Sequence, residues 1–450
     1  MTTSRFIRIL GRRDTLFLAF GAMIGWSWVM IAGRWVHDAG PLGAMLAFAV
    51  GGAAVLVISL TYAELASAMP EVGGEHVYSR RALGWTGSFL CTWALVLGYV
   101  SVVTFEAVAL PTALEYLFPQ LRAGYLWTVA GSEVHLSFVL IGMAGGVVMT
   151  ALNIAGVRFA AVVQTAVVVM MLTLGGLFLF GAAAFGDPSR LSPGFASEGR
   201  GFLGVLVMTP TLFVGFDVIP QAAEEIKLPF RALGVLLVIS VALATAWYML
   251  TVLGVSLSLS GPALLEPLST AEASANAWGG RWAAAALVVA GLGGIITSWN
   301  AFIVGASRAV FAMAESGMLP RFLARLHPRR HTPVNAILLI GALSLVAPLF
   351  GRSLLVWLID AGSFAVVTAY GLVAASFLVL RRREPDLPRP YRAGRGEGVG
   401  WLALACAVGI GVLFLPGSPA ALVWPYEWII VGGWAVTGVV MAWTARRQAT

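Results

Sequence analysis

Charged side chains are scarce in this chain. Only 11% of its 450 residues are Asp, Glu, Lys or Arg, and Lys227 is the single lysine. Hydrophobic residues make up 59% of the sequence and recur in long runs from one end to the other. An ordinary soluble domain carries about 25% charged residues. The composition therefore excludes a soluble protein and predicts an integral membrane protein.

Cysteine and histidine are also rare. Cys91 and Cys406 both lie in apolar segments, so neither a disulfide framework nor a cysteine-ligated metal is expected. A membrane enzyme needs a nucleophile, a base and usually histidine or a metal. The five histidines fall in loops or at segment ends without a catalytic motif: His37, His76, His135, His327 and His331. We therefore expect no enzyme, no catalytic residues and no cofactor.

The apolar runs are long enough to cross a bilayer, which takes roughly 20 residues per helix. The chain is predicted to be an all-α polytopic protein with twelve transmembrane helices. The predicted segments are 15–36, 42–68, 86–118, 135–153, 158–184, 202–222, 232–260, 281–314, 335–350, 353–380, 400–415 and 423–445.

Basic residues set the predicted orientation, because short cytoplasmic loops retain Lys and Arg. With the amino terminus inside, all but six of the 28 basic residues are cytoplasmic; the six are Arg34, Arg122, Arg190, Arg200, Arg281 and Arg352. Both termini are therefore predicted to be cytoplasmic. The net charge of +7 belongs to these segment ends, where it meets anionic lipid, and no nucleic-acid partner is expected.

Two of the predicted helices contain residues that interrupt helices. Segment 21–33, GAMIGWSWVMIAG, contains Gly21, Gly25 and Ser27, and segment 209–220, TPTLFVGFDVIP, contains Gly215, Asp217 and two prolines. Interrupted helices at corresponding positions of two halves indicate an inverted-repeat transporter. For a single glycine, close helix packing is the alternative interpretation, but two such segments, each opening one half, favour a site.

Several stretches resemble the amino acid, polyamine and organocation permeases. They are GAMIGWSW, TYAELASAMPEVGGEHVYSRRALG, GFDVIPQAAEEIKLPFRALG and ITSWNAFIVGASRAVFAMAESGMLP. The third looks most like bacterial relatives of the cationic amino acid transporters. The resemblance implies the five-plus-five inverted-repeat fold of the sodium-coupled leucine transporters, followed by two further helices.

The resemblance also implies a substrate site. In the first helix it maps to Ile24, Gly25, Trp26 and Ser27, whose free backbone amides would hold a substrate carboxylate. Most relatives have small residues here, so the Trp26 indole either points away from the site or narrows it and stacks on the substrate. In the sixth helix the site maps to Phe213, Val214, Gly215, Phe216 and Asp217, with Phe213 as the gate.

Four acids lie in or near the predicted hydrocarbon: Glu64, Glu106, Asp217 and Asp360. Carboxylates at this depth are costly and usually face a cavity or a partner. Glu64 and Asp360 are expected to structure a loop, a gate or a packing contact. Glu106 lies seven residues after Tyr99, on roughly the same helical face, and is a candidate for the site. Asp217 is expected to pair with an amine or carry a proton, and capping of a half-helix is its alternative role.

The resemblance implies a sodium site as well, formed by Gly21, Ile24, Gly294, Thr297 and Ser298. Five neutral oxygens suit a hard cation. Proton-coupled relatives often place a lysine in the fifth helix, where this chain has Met171. Sodium coupling is therefore favoured, while coupling to protons through Glu106 or Asp217, and exchange without ion coupling, stay open.

Together these features predict a secondary active transporter of the cell membrane that imports a small amino acid or related amine by alternating access. A transporter-like nutrient sensor and a channel are the other classes, and the substrate and oligomeric state are not predicted. The domains follow: cytoplasmic amino terminus 1–14, first repeat 15–184, second repeat 202–380, cytoplasmic linker 381–399, two further helices 400–445 and cytoplasmic carboxyl terminus 446–450.

Overall fold

The computed structural model describes residues 6–196, 200–418 and 421–449. Arg5 and Thr450, which belong to the two predicted cytoplasmic termini, lie outside the described residues. The described chain is mostly helical, as its apolar composition requires, because backbone groups in lipid must find their hydrogen bonds within the segment.

The helices are numbered in chain order. They are α1 Arg12–Met23, α2 Ser27–Met30, α3 Ala32–Ala39, α4 Pro41–Ala68, α5 Glu75–Leu117, α6 Leu136–Ala155, α7 Val157–Phe185, α8 Arg200–Leu212, α9 Val218–Gln221, α10 Phe230–Ser258, α11 Ser269–Trp278, α12 Arg281–Glu315, α13 Val334–Val346, α14 Ser353–Arg383, α15 Gly398–Val412 and α16 Tyr426–Ala449.

Eight helices in the described part of the chain are long and apolar enough to cross a membrane. They are α4, α5, α6, α7, α10, α12, α14 and α16. Three further predicted segments coincide with shorter apolar helices, at 201–212, 334–350 and 398–412, and the first coincides with α1 to α3. The polytopic membrane prediction is confirmed at this level, whereas the count of twelve spans stays a prediction.

The predicted third segment, 86–118, matches the part of α5 that follows Gly84. Gly84 has φ +74° and ψ −166°, outside helical geometry, so α5 consists of two helices joined at this residue, and the shorter one begins at Glu75. Glycine tolerates this backbone conformation because it has no Cβ. The shorter helix brings Glu75 and His76, predicted to lie in a loop, into the buried part of the protein.

The prediction of an all-α chain is wrong at one place. Between α5 and α6, strands β1 Tyr125–Val129 and β2 Ser132–His135 pair as an antiparallel hairpin. Ala130 and Gly131 make its turn, both with positive φ, and β-branched and aromatic residues of β1 favour extended structure. The Trp127 indole donates a hydrogen bond to the carbonyl oxygen of Leu349 (2.9 Å), which attaches the hairpin to the segment before α14.

Helices α7, α10 and α12 pack against α1 around the two interrupted segments, and α5 joins this core through its contact with α12. Helix α15 packs on α14 and α4, and α16 packs on α14 and α5. The rings of Trp93 in α5 and Trp434 in α16 are stacked 4.4 Å apart. The last two helices therefore lie outside the group of helices that holds the candidate site.

Candidate functional site

The first helix is interrupted between α1 and α2. Ile24 leaves helical geometry with φ −100° and ψ 57°, and α2 starts again at Ser27. Within the described part of the chain, the amides of Gly25, Trp26 and Ser27 donate no backbone hydrogen bond. The Tyr248 hydroxyl of α10 donates to the carbonyl oxygen of Met23 (2.8 Å). The interruption therefore leaves these backbone amides without a backbone hydrogen bond. The hydroxyl of Tyr248 in α10 supplies a donor for one of the carbonyl oxygens that the broken helix leaves unpaired.

The second interruption separates α8 from α9, at Phe213 to Asp217. Gly215 has φ +133°, and a Cβ placed on it would lie 2.6 Å from the Cβ of Ala22 in α1. Only glycine allows both this backbone conformation and this approach. The second interruption therefore lies directly against the last turn of α1, which leads into the first interruption.

Asp217 lies inside this second interruption and is fully buried. Its Oδ1 accepts a hydrogen bond from the amide of Gly215 (2.9 Å). It occupies the capping position of α9, but its side chain makes no capping hydrogen bond to that helix. Half-helix capping in its usual form is therefore not its role. The carboxylate holds the turn before α9, and the hydroxyls of Tyr99 and Tyr370 lie beside it.

Aromatic rings surround the remaining residues of the second interruption. Phe213 is buried, and its ring makes an edge contact with Tyr248, with centroids 5.6 Å apart. Phe216 contacts Tyr62 and Tyr370, at 5.2 and 5.4 Å. Val214 is 4% exposed. These rings pack around the second interruption, and the gate role of Phe213 stays a prediction.

The Trp26 indole packs against α12. A Cβ placed on Gly291 would lie 2.4 Å from the six-membered ring of Trp26, so the indole fills the space that the missing side chain leaves. Only 2% of Trp26 is exposed. The sequence left the orientation of the indole open, and in the structure the ring packs on α12.

The five predicted sodium ligands lie together where α1 meets α12. The Thr297 hydroxyl donates to the carbonyl oxygen of Gly21 (2.9 Å) and lies 3.1 Å from that of Gly294. A Cβ placed on Gly294 would be 3.0 Å from the carbonyl oxygen of Ile24. Ser298 Oγ is 3.6 Å from the position of a Cβ on Gly25. These oxygens are neutral and close, which is a donor set that fits a hard monovalent cation.

Met171 of α7 faces the same group of oxygens. Its Sδ lies 3.8 Å from the Thr297 hydroxyl, and its side chain is fully buried. A thioether occupies the position at which the resemblance implies a lysine in proton-coupled relatives. The sequence of α7 contains no lysine, and its one arginine, Arg158, lies thirteen residues before Met171.

Glu106 of α5 lies beside the first interruption. A Cβ on Gly25 would be 3.4 Å from Glu106 Oε1, and Ser298 is close enough to interact with the carboxylate. The residue is 2% exposed, and Oε2 has no hydrogen-bond partner in the described chain. The structure therefore brings this predicted residue to the site.

The sequence profile of the family described as amino acid permease matches residues 10–440. The chain belongs to this family. The chain is 27% identical to a branched-chain amino acid permease of Bacillus subtilis, over 86% of this chain and 83% of the relative. Identity is 28% with a methylthioribose transporter of Bacillus subtilis (86% and 84% covered). It is also 28% with cationic amino acid transporter 4 of Mus musculus (85% and 61%). A permease is not an enzyme, so that prediction is confirmed.

Sequence reasoning missed the groups around Asp217 in this permease. Glu75 at the start of α5 is fully buried, and one of its carboxylate oxygens accepts a hydrogen bond from Gln221 of α9. The hydroxyls of Tyr99 and Tyr370 lie beside Asp217, and that of Tyr62 lies beside Glu75. Glu75 was missed because the helix was predicted to begin at residue 86, which left the acid in a loop.

A buried chain of amides beside α1 was missed as well. Asn153 Nδ2 donates to Asn300 Oδ1 (3.1 Å), and Asn300 Nδ2 donates to Gln164 Oε1 (2.9 Å). Gln164 Nε2 in turn donates to the carbonyl oxygen of Phe17 in α1 (3.2 Å). The sequence signal for this chain was the presence of three amide side chains within otherwise apolar helices. The chain links α6, α12, α7 and α1 just before the first interruption.

Two of the four predicted acids lie apart from the interruptions. Glu64 at the end of α4 accepts hydrogen bonds from Arg381 (2.9 and 2.5 Å) and from the amide of Ala393 (2.8 Å), and Arg389 lies 3.0 Å away. These contacts give it the loop-structuring role. Asp360 of α14 lies beside Glu427 of α16, which is a contact between helices.

The ends of the segment after α14 are fastened by exposed ion pairs. Glu384 accepts two hydrogen bonds from Arg81 (2.9 and 2.6 Å), and Glu397 accepts two from Arg382 (2.7 and 2.5 Å). These hydrogen bonds hold the pKa of both carboxyl groups below its usual value. Both pairs therefore stay charged well below neutral pH.

A buried ion pair joins the segment after α9 to α12. Arg308 Nε lies 2.7 Å from Glu225 Oε1, and the two side chains are 1% and 3% exposed. The carbonyl oxygen of Glu225 also accepts from the amides of Ile9 and Leu10 (2.9 and 3.0 Å). This contact fastens the segment before α1 to the segment after α9, next to both interrupted helices.

Proposed function

We propose that this permease imports a small amino acid or related amine across the cell membrane by alternating access, coupled to sodium. The observation that carries the proposal is the contact of Gly215, in the second interruption, with Ala22, two residues before the first interruption begins at Ile24. Interrupted helices offer unpaired amides and carbonyls at mid-membrane, where this class of transporter binds substrate and ion. The substrate would lie between Ile24–Ser27 and Phe213–Asp217, with Glu106 beside it and Phe213 as the gate.

The sodium ion would be held by carbonyl oxygens of Gly21, Ile24 and Gly294 and by the hydroxyls of Thr297 and Ser298. Support comes from the 2.9 Å contact between Thr297 and the Gly21 carbonyl and from the thioether of Met171 in the place of a lysine. A cation here would join α1 to α12 at the last turn before the interruption. Ion binding would thereby bias the conformation of the helix that holds the substrate.

The proposed architecture is that of twelve spans with both termini cytoplasmic. Residues 15–184 and 202–380 form two inverted repeats, 381–399 a cytoplasmic linker and 400–445 two peripheral helices. The arginine-rich segment ends support the orientation. Alternating access then consists of movement of one bundle of helices against the other around the two interruptions.

Uptake into proteoliposomes under imposed gradients tests the proposal. Purified protein is reconstituted, and accumulation of amino acids and amines is measured with an inward sodium gradient, an inward proton gradient, and no gradient with trapped substrate. Sodium-driven accumulation is expected. Accumulation driven only by the proton gradient would indicate proton coupling in place of sodium coupling. Uptake that occurs only in exchange for trapped substrate would indicate exchange without ion coupling. If no amino acid or amine moves under any condition, the transporter proposal fails.

A further inference from the structure

Arginine side chains from three parts of the chain line one cavity. The cavity has a volume of about 620 Å³ and lies where the first turns of α5, the end of α12 and the end of α16 meet. Its basic residues are Arg80, Arg321 and Arg446, and Glu315 is the one acid among the described residues that line it. The lining therefore carries a net positive charge, which favours an anionic ligand.

Two of the three guanidinium groups have no partner within the described chain. Neither Arg80 nor Arg321 donates a hydrogen bond there, and no described acid lies within 4.0 Å of either side chain. Glu71 and Glu224 line a neighbouring cavity together with Arg80, but they do not pair with it. A single exposed arginine is ordinarily solvated, whereas two that border the same cavity can both donate to one phosphate group.

The third arginine is held in place by α5. The guanidinium of Arg446 lies over the ring of Trp85, 4.6 Å from the centroid, and Nη2 donates a hydrogen bond to the Thr86 hydroxyl (2.8 Å). These contacts join the end of α16 to α5 and keep a positive charge at the edge of the cavity. A charge that is already positioned loses less conformational entropy when an anion binds.

An exposed apolar surface continues from the cavity along both helices. On α16, Val439 and Trp443 lie seven and three residues before Arg446, on the same helix face, and are 69% and 54% exposed. On α5, Leu90 lies one turn after Thr86 and is 56% exposed. Helix α16 is long and apolar enough to cross a membrane, so these side chains face acyl chains. A ligand that fits has an anionic head and apolar chains.

Two tryptophans indicate the depth of the cavity in the bilayer. Trp85 lines the cavity, and the ring centroid of Trp443 lies 3.6 Å from the guanidinium carbon of Arg447. Tryptophan rings collect at the interface between acyl chains and water, where arginine meets anionic headgroups. The cavity is therefore expected at the level of lipid phosphates. In the proposed orientation it faces the cytoplasmic leaflet, whose surface potential is negative.

We propose that this cavity binds the phosphate headgroup of an anionic phospholipid, held by Arg80, Arg321 and Arg446, with an acyl chain along the exposed face of α16. A soluble phosphate could use the same arginines but would gain nothing from the apolar face, which is the reason for assigning the site to lipid. The site is separate from the two interruptions, and its assignment does not depend on the proposed transport function.

Binding of lipid to the purified full-length protein tests the proposal. The protein is delipidated in a neutral detergent, and the shift of its melting temperature is titrated with phosphatidylglycerol and with phosphatidylcholine of the same acyl chains. Phosphatidylglycerol is expected to bind at least about tenfold more tightly, because its phosphate charge is not compensated within the headgroup. Inorganic phosphate and glycerol phosphate are the soluble comparison, and both should bind at least about tenfold more weakly than phosphatidylglycerol because they lack acyl chains.

The variants Arg80→Gln and Arg321→Gln remove the two charges that have no partner in the described chain. Because neither side chain makes a hydrogen bond there, both variants should keep the melting temperature of the lipid-free protein. Each is expected to weaken phosphatidylglycerol binding about fivefold, the contribution of one arginine near an anionic headgroup, and the double variant about 25-fold. Phosphatidylcholine binding should not change.

Arg281→Gln is the matched control. Arg281 is exposed and starts α12, at the end of the helix opposite Glu315, so its loss changes the net charge equally without changing the cavity. Its phosphatidylglycerol binding should equal that of the unmodified protein. Native mass spectrometry of the lipid retained by each variant provides a second measurement.

The other outcomes overturn the site or its assignment. Equal binding of the two phospholipids, or unchanged phosphatidylglycerol binding by the double variant, would show that the cavity is not an anionic lipid site. If glycerol phosphate binds as tightly as phosphatidylglycerol, the arginines hold a soluble phosphate and the lipid assignment is wrong. An equal loss in Arg281→Gln and Arg80→Gln would assign the attraction to net charge and not to this cavity. None of these measurements involves uptake, so the transport proposal is tested separately.

Discussion

The hydroxyl of Thr297 in α12 donates a hydrogen bond to the carbonyl oxygen of Gly21 in α1, at 2.9 Å. Gly21 belongs to the last turn of α1, and its carbonyl would otherwise accept from Gly25 if the helix continued. Helix α12 therefore compensates the break of the first helix with a side chain that can also coordinate a cation. This contact connects the fold of the amino acid permease to its proposed ion coupling.

The double substitution Thr297→Ala with Ser298→Ala removes both hydroxyls of the proposed sodium site. We expect the sodium concentration for half-maximal uptake to rise by roughly tenfold or more, which corresponds to about 1.4 kcal/mol of lost binding free energy. Sodium titration of uptake in proteoliposomes measures the change. Thr173→Ala is the control, because that hydroxyl is exposed on α7 and bonds only to Val169. An unchanged sodium requirement would show that these two hydroxyls do not bind the coupling ion.

Replacement of Met171 by lysine would place an ammonium group next to Thr297. A fixed positive charge there repels a cation, so Met171→Lys is expected to make uptake independent of sodium. Met171→Leu keeps the volume without the charge and should retain sodium dependence. Uptake with and without sodium compares the two variants. Equal sodium dependence in both would show that Met171 is not at the ion site.

Asp217→Asn separates the charge of the residue from its structural hydrogen bond. Asparagine retains an oxygen that can accept from the Gly215 amide, so the melting temperature should change little. Transport should fall at least about tenfold, as expected for a lost charge-assisted contact to substrate. Asp217→Ala removes the acceptor too and should lower both. Normal transport by the asparagine variant would leave Asp217 with a structural role only.

Gly215→Ala tests the contact between the second interruption and the last turn of α1. The added Cβ would have to fit 2.6 Å from the Cβ of Ala22, at a φ of +133°. Backbone strain and overpacking each cost about 1–3 kcal/mol, so the melting temperature and transport should both fall. Gly176→Ala is the matched control, since, apart from the backbone of its own helix, no described residue comes within 4 Å of that Cβ position. Comparable melting temperatures for the two variants would contradict the close contact.

Glu225→Gln leaves Arg308 charged and buried without its partner. Breaking a buried pair in this way costs about 3–5 kcal/mol, and thermal unfolding of the purified protein in detergent should show a clear decrease. Combining the change with Arg308→Met should recover part of the loss. Glu397→Gln breaks an exposed pair, whose side chains are 58% and 31% exposed, and should lower the melting temperature much less, because solvent screens exposed pairs. Similar losses for the two single variants would argue against a special role for the buried pair.

Much of the architecture could be predicted from periodicity, because long apolar runs and their arginine-rich ends are local features of the chain. The residues of both interruptions were also visible, since Gly25, Gly215 and Asp217 are locally unfavourable in a membrane helix. The hairpin was missed although Ala130 and Gly131 mark a turn between extended residues. Predicted helix ends rest on composition alone, so the shorter helix of α5 before Gly84 was missed together with Glu75.

The long apolar runs and the family motifs are enough to identify a polytopic membrane protein of the permease family, because both are read along the chain. The contacts of each polar group follow from how the helices pack. Trp26 packs against Gly291, the Asp217 carboxylate accepts from the Gly215 amide, and Glu75 and three tyrosine hydroxyls lie in the same region. These contacts join residues far apart in the chain, and their geometry depends on how whole helices pack, which no local pattern encodes.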